Sequence, residues 1–394
     1  MNKKLKTQTI AIDTPFERKD VYGALSMPVY NSAAYEFETA ADMTDAFTGK
    51  VLAPDYSRVM NPTVTYFEDK VKALTGAANV FAFTSGMAAI TNMFLALSGA
   101  GKNIVTSKHL FGNSFALITK TLKRFGVETH LADLTDAEAV KQAIDKDTCC
   151  IYLEIITNPQ MEVADLRKLA AIAHEAGIPL VADTTMIPFT KFSAKELGVD
   201  VEVVSSTKYI SGGATSLGGL VIDYGTFAEV NKTIRFELLF NIGSYMTPQV
   251  AYMQSLGLET LDARYRVQEQ NAIDLAKRLR ELDGVKVNSL AFDDNKYHAL
   301  AKELFNDTYG AMITIDLESE QKCYDFINSL KLVRRATNLF DNKTLAIHPY
   351  STIFGNFTAE EKKDMDVLPT TIRLSVGLES MDDIFDDLRQ ALGK

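Results

Sequence analysis

"TCCIYLEIITNPQMEVADLRKLAAIAHEAGIPLVADTT", residues 148–185, decides the fold. TCCIYLEII is a short apolar run, DLRKLAAIAHEAG repeats its apolar residues at helical spacing and stops at Gly177, and IPLVADTT is short and apolar again. Strand, helix and strand in that order make one unit of a sheet whose strands run parallel. The rhythm continues in both directions. Upstream lie a helix in NPTVTYFEDKVKALTG that closes on Gly76, a strand in NVFAFTS and a helix in GMAAITNMFLALSG. After them come NIVTS (strand), SFALITKTLKRFG (helix), VETHLAD (strand) and DAEAVKQAI (helix). Downstream, VEVVSSTK (201–208) is a β-branched strand that ends in hydroxyls and a lysine and spills into a glycine-rich loop. Short apolar strands alternating with amphipathic helices predict an α/β fold, a mostly parallel sheet covered on both faces, with ligands at the carboxyl ends of its strands.

Beyond residue 245 the pattern changes. Residues 247–282 predict a long helical stretch interrupted near Gly257; AMITIDL and TIRLSVG read as strands and SMDDIFDDLRQAL as a closing helix, together a smaller α/β unit. The first sixty residues, broken by Pro28 and Pro54, read as an arm lying over something else, such as a partner subunit. The expected division is an arm over 1–60, a large domain over 61–250 and a small domain over 251–394.

Composition narrows the function. The 394 residues are 46% hydrophobic and 23% charged, proportions of a globular chain with a large core. A formal net charge of −10 excludes broad binding to a nucleic-acid backbone but leaves room for a local anion pocket. Three cysteines, two of them adjacent, form neither a disulfide framework nor a metal cage, so no metal is expected and a reducing cytoplasm fits. No run has the length and apolarity of a membrane span or a signal-peptide core.

Two strand ends carry chemistry. Asp183 ends IPLVADTT and Lys208 ends VEVVSSTK, delivering an acid and an amine to one rim. Ser205 and Thr207 share a strand face beside the lysine, and Thr84-Ser85-Gly86-Met87 opens a helix whose free N–H groups suit an anion. A buried ion pair is the plain alternative for Asp183 and Lys208, and strand-end capping for the hydroxyls. An amine, an acid and an anion seat together suit pyridoxal 5'-phosphate: a lysine condenses with its aldehyde, a carboxylate faces its ring nitrogen, and several donors hold its phosphate. Nucleotide signatures fail. There is no G-x-x-x-x-G-K-[ST], and the glycines at 212, 213, 218 and 219 lack dinucleotide spacing.

Nine segments in order carry a resemblance: MPVYNSAAYEF (27–37), YSRVMNPT (56–63), TSGMAA (84–89), LFGNS (110–114), TNP (157–159), VADTT (181–185), SSTKYISGG (205–213), LAIHPYST (345–352) and RLSVGLE (373–379). The chain resembles the Cys/Met-metabolism family of pyridoxal-phosphate enzymes, which includes cystathionine synthases and lyases, methionine γ-lyases and O-acylhomoserine sulfhydrylases. The resemblance implies an aspartate-aminotransferase-like fold, with active sites shared across a dimer and two dimers forming a homotetramer. It implies that Lys208 binds the cofactor's aldehyde and Asp183 its ring nitrogen. By the same resemblance Gly86, Met87, Ser205 and Thr207 hold the phosphate, and Tyr56 and Arg58 reach the phosphate of a neighbouring subunit. Phe111 stacks on the ring, Asn158 lies near the ring hydroxyl, and Arg373 grips the α-carboxylate of a small amino-acid substrate; Asn158 and Tyr56 also face the substrate. Read singly, Tyr56 and Arg58 are a loop pair, Phe111 is core, Arg373 is a surface residue on an edge strand, and His348 is a satisfied structural histidine.

Position 111 is where the chain departs from most of the family, which has a tyrosine there. Phenylalanine keeps the stacking face and loses the proton donor. A carboxylate, of conjugate-acid pKa about 4, leaves unaided far more readily than a thiolate at about 8.5. The expectation is therefore γ-replacement on O-acetyl- or O-succinylhomoserine with sulfide or a thiol, giving homocysteine or methionine. Methionine γ-lyase and cystathionine γ-synthase or γ-lyase are the alternatives, and a neighbouring subunit's Tyr56 is another source of a hydroxyl. Asn113, where methionine γ-lyases typically place a cysteine, counts against the first of these. A nicotinamide oxidoreductase and a cofactor-free scaffold are the readings from other classes.

Overall fold

The computed structural model describes residues 5–14 and 22–394. The segments that alternate in sequence build one seven-stranded sheet from β1 (Asn79–Phe83), β2 (Asn103–Thr106), β3 (Glu128–Leu131), β4 (Thr148–Glu154), β5 (Leu180–Asp183), β6 (Val201–Val204) and β7 (Gly219–Asp223), in the order β1-β7-β6-β5-β4-β2-β3. The pairs from β6 through β5, β4 and β2 to β3 are parallel, and β7 runs antiparallel to both β1 and β6. β7 is unexpected from the sequence, because its first residue, Gly219, belongs to the glycine cluster that reads as loop.

Strand residues alternate between two cores. Phe81, Phe83, Cys150, Tyr152, Val181 and Val203 face one side, and Val80, Ala82, Ile151, Leu153, Leu180 and Ala182 face the other. That is the period of two a strand imposes, and both faces are apolar because helices cover both. The covering helices start where side chains can close their first turn. Asn61 accepts from Thr63 N–H before Pro62–Thr75, Ser85 from Ala88 N–H before Gly86–Leu97, and Asp165 from Arg167 N–H before Leu166–Glu175. The segment SFALITKTLKRFG is helical but not uniformly so: an α turn (Gly112–Ala116) widens to a π turn and then tightens to a 3₁₀ turn by Phe125.

One expectation is corrected. Pro248–Arg280 is a single helix of 33 residues, unbroken at Gly257. Gly257 marks a close approach instead: a Cβ there would lie 1.8 Å from the carbonyl oxygen of Ile210, in the turn after Lys208. The same helix is held to Pro62–Thr75 by the fully buried Lys70, whose Nζ reaches Glu259 at 2.7 Å. A second sheet of five strands follows, β8 (Lys286–Asn288), β9 (Met312–Asp316), β10 (Arg334–Arg335), β11 (Leu345–Ile347) and β12 (Thr371–Ser375), ordered β10-β11-β12-β9-β8. Among the described residues no helix is long and apolar enough to cross a membrane.

Candidate active site

Parallel register brings the strand ends to one level. Glu154 of β4 pairs with Asp183 of β5, and Asp183 with Val203 of β6, so the chain leaves β6 for Ser205–Lys208 beside the acid. Ser205 N–H donates to Thr185 Oγ1 at 2.8 Å, tying the two strand ends together. They open into a cavity of about 240 Å³ that Arg373 of β12 closes from the second sheet. Asp183, Lys208, Gly86, Met87, Phe111, Asn158, Ser205, Thr207 and Arg373 all line it. Tyr56 and Arg58 do not. Tyr56 is 44% exposed with the Arg58 guanidinium 5.3 Å from its ring centre, and Arg58 Nη1 donates to Phe240 O.

The glycine at this helix start has a steric reason. Ser85 caps Ala88 N–H, which leaves the amides of Gly86 and Met87, at the first two helical positions, without an intrahelical acceptor. A Cβ at Gly86 would stand 2.8 Å from Ser205 Cβ, so only glycine lets the Ser205 side chain lie against the helix start. The Thr207 hydroxyl is already engaged, accepting from Gly218 N–H at 3.0 Å and donating to Gly218 O at 3.2 Å.

Lys208 is not paired with Asp183. Its Nζ donates to Asn338 Oδ1 at 2.8 Å. Burial and then the Arg373 charge lower its pKa to about 8, against an opposing pull from Asp183 and Asp341. Arg373 is 2% exposed on β12, which lies between β11 and β9, so it is neither on the surface nor on an edge strand. It reaches Asn158 Oδ1 at 3.3 Å and Asn338 O at 3.1 Å, while its Nε has no protein partner. Burial lowers its pKa, but a guanidinium starts so high that it stays the cation at neutral pH.

The two acids divide their roles. Burial and then the Asp183 charge push the Glu154 carboxyl well up, and its Oε1 accepts from Phe111 N–H at 2.6 Å. Burial raises Asp183 too, but hydrogen bonds from Thr185 and the nearby Lys208 charge oppose that rise, so the surroundings favour the anion more at Asp183 than at Glu154. Neighbouring buried carboxylates do not both ionise.

Sequence reasoning missed Glu154 and Asn338. Glu154 was findable as a charge ending an apolar buried strand, the same signal that marked Asp183. Asn338 lies in a loop 130 residues from Lys208 and had no signal. His348 is structural as expected, its ring nitrogens bonded at 2.8 Å to Ser351 Oγ and Pro369 O. Asn113 is exposed and does not line the cavity.

The donor set fits pyridoxal phosphate: a buried amine, a carboxylate, helix-start amides beside serine, and a buried guanidinium with an unpaired N–H. The family model described as Cys/Met metabolism PLP-dependent enzyme matches residues 8–393. An L-methionine gamma-lyase of Fusobacterium nucleatum is 35% identical over 381 residues, covering 95% of each chain. A structure from Campylobacter jejuni, assigned as an O-acetylhomoserine (thiol)-lyase and carrying pyridoxyl-lysine-5'-monophosphate, has a TM-score of 0.95 at 30% identity and covers 99% of this chain and 100% of that one. A structure of the O-acetylhomoserine sulfhydrylase of Wolinella succinogenes is 42% identical, with a TM-score of 0.76 over 85% of this chain and 99% of that one. The chain belongs to the Cys/Met metabolism family of pyridoxal-phosphate-dependent enzymes, the transferases and lyases of sulfur amino-acid metabolism.

Proposed function

We propose that this enzyme exchanges the γ-acyloxy group of an O-acylhomoserine, acetyl or succinyl, for sulfide or a small thiol. The observation that carries the reading is the cavity wall at Phe111. Among the described residues lining the cavity there is no tyrosine, histidine or cysteine. A leaving group that needs protonation finds no phenol at that wall, whereas a carboxylate needs none.

The cofactor supplies an electron sink for charge developed at the substrate's α carbon. The remaining roles fall to the chain. The amides of Gly86 and Met87 with Ser205 hold the phosphate, Thr207 joins them by turning its hydroxyl proton from Gly218 O, Asp183 faces the ring nitrogen as an anion, Phe111 covers a ring face and Asn158 meets the ring hydroxyl. Arg373 presents a planar fork to the substrate α-carboxylate. Lys208, with a pKa of about 8, is partly neutral near pH 7 and takes and returns protons at the α and β carbons.

The reading extends to assembly. Tyr56 and Arg58 reach the cofactor phosphate in the site of a partner subunit, in a homotetramer of two such dimers. Apolar residues exposed on the first sixty positions, Leu25 and Phe47 among them, support a partner surface. The division into an arm over 1–60, a large unit over 61–250 and a small unit over 251–394 belongs to the same proposal, and the presence of two separate sheets supports it. Three free cysteines accord with a cytoplasmic setting.

The test is a product assay with O-acetylhomoserine, O-succinylhomoserine, cystathionine and methionine, each with and without sulfide. The expected result is sulfide-dependent homocysteine from an acyl ester as the fastest reaction. Release of 2-oxobutyrate from methionine at a higher rate assigns a lyase instead, the reading that the Fusobacterium relative favours.

A further inference from the structure

Phe340 has a backbone that bulky residues avoid. Its φ is 54°, in the left-handed region, and its side chain is fully buried. Such a conformation persists only where the surroundings impose it, and it is a reason to look for function. The ring of Phe340 lies face to face on Tyr209, centroids 4.0 Å apart and planes 7° from parallel, and Tyr209 is the residue after Lys208. Its N–H donates to Ser375 Oγ at 2.6 Å, two residues beyond Arg373 on β12. Two positions earlier, Asn338 accepts from Lys208 Nζ through its side chain and from Arg373 through its carbonyl.

The loop is thus fixed twice to the lysine turn and twice to the arginine strand. We infer that Phe340 is a positioning residue whose left-handed, stacked placement holds Asn338 between the amine of Lys208 and the guanidinium of Arg373. The inference rests on the reading of Lys208 as the cofactor-binding lysine. Glycine at 340 would accept the backbone without strain but remove the ring; leucine would keep the backbone demand and also remove the ring.

The experiment follows capture of pyridoxal phosphate by the apoprotein, by absorbance against pH, in the wild type, Phe340→Gly, Phe340→Leu, Asn338→Ala and the Phe340→Gly/Asn338→Ala double variant. A carbonyl acceptor on Nζ favours the ammonium form, and Arg373 stays held by Asn158. The capture midpoint should therefore fall by about half a unit or more in all the variants. In the double variant it should fall no further than in Asn338→Ala alone, the mark of residues acting as a unit. Reloaded Phe340→Gly should lose roughly tenfold or more in kcat/KM, the scale of a misplaced reacting group. A wild-type midpoint in either Phe340 variant, or additive shifts in the double variant, overturns the inference while leaving the lysine assignment intact. Capture that survives Lys208→Ala overturns both.

Discussion

Replacing Gly257 by alanine places one methyl group between two main chains. Its Cβ would meet Ile210 O at 1.8 Å and Ile210 C at 3.0 Å, and carbon–oxygen contacts below about 3 Å are repulsive. The helix Pro248–Arg280 and the turn after Lys208 would have to separate by more than about 1 Å. Neither side offers a rotamer to relieve the contact. Overpacking of this kind costs roughly 1–3 kcal/mol, and the main-chain clash puts it at the upper end, about 3 kcal/mol. At an unfolding entropy of about 2.1 cal/mol/K per residue over this chain, that lowers the melting temperature by roughly 4 °C. Function should suffer more than stability. Ile210 is two residues from Lys208, and a 1 Å displacement of a reacting group costs on the order of 100-fold in rate. The assay is thermal unfolding beside kcat/KM for the acyl ester. Leu256→Ala, at a 43% exposed position one residue away on the same helix, should change little and serves as control. Unchanged melting and unchanged turnover in Gly257→Ala would refute the close-approach argument.

Phe111→Tyr should raise elimination from cystathionine and methionine several-fold more than turnover of acyl esters, measured as 2-oxobutyrate release and homocysteine formation; equal changes in both remove the leaving-group argument. His109 tests a second cluster. Its Nδ1 faces Glu162 at 3.2 Å and its Nε2 faces Asp366 at 2.8 Å, with Lys108 on Asp366, Tyr297 on Glu162 and Asp133 nearby. Burial opposes the imidazolium charge, but the two carboxylates outweigh it and the pKa is raised. Stabilisation by the charged ring is therefore complete below the unfolded value of about 6.5 and fades as pH climbs through the raised folded value. Glu162 and Asp366, both held below their usual range, stay ionised across that window. The melting-temperature gap between wild type and His109→Gln should be larger at about pH 6 than at about pH 9, and a constant gap would count against the pairing.

Much of the sheet was legible because burial on both faces forces short apolar strands, and the covering helices need an apolar stripe at their own period. The same logic placed Asp183, since a charge ending a buried strand needs a reason. It should have placed Glu154 as well, had the acid inside LEII been read as ending β4 rather than continuing it. The lysine's setting was harder. Its hydroxyls were visible, yet the amine donates to Asn338 instead of forming the plain ion pair with Asp183, and Asn338 stands far along the chain.

By itself, the sequence determined the alternation of elements, the acid at the end of β5 and a helix start with free amides, since each depends on residues close together along the chain; the lysine it read as ending β6 lies four residues further on, in a turn. Only the tertiary structure decided that Arg373 is buried on a central strand, that Gly257 is a contact within an unbroken helix, and that a left-handed Phe340 stacks beside the lysine. Those facts depend on which distant backbones come within a few ångströms of each other, and local patterns of polarity carry no record of that distance.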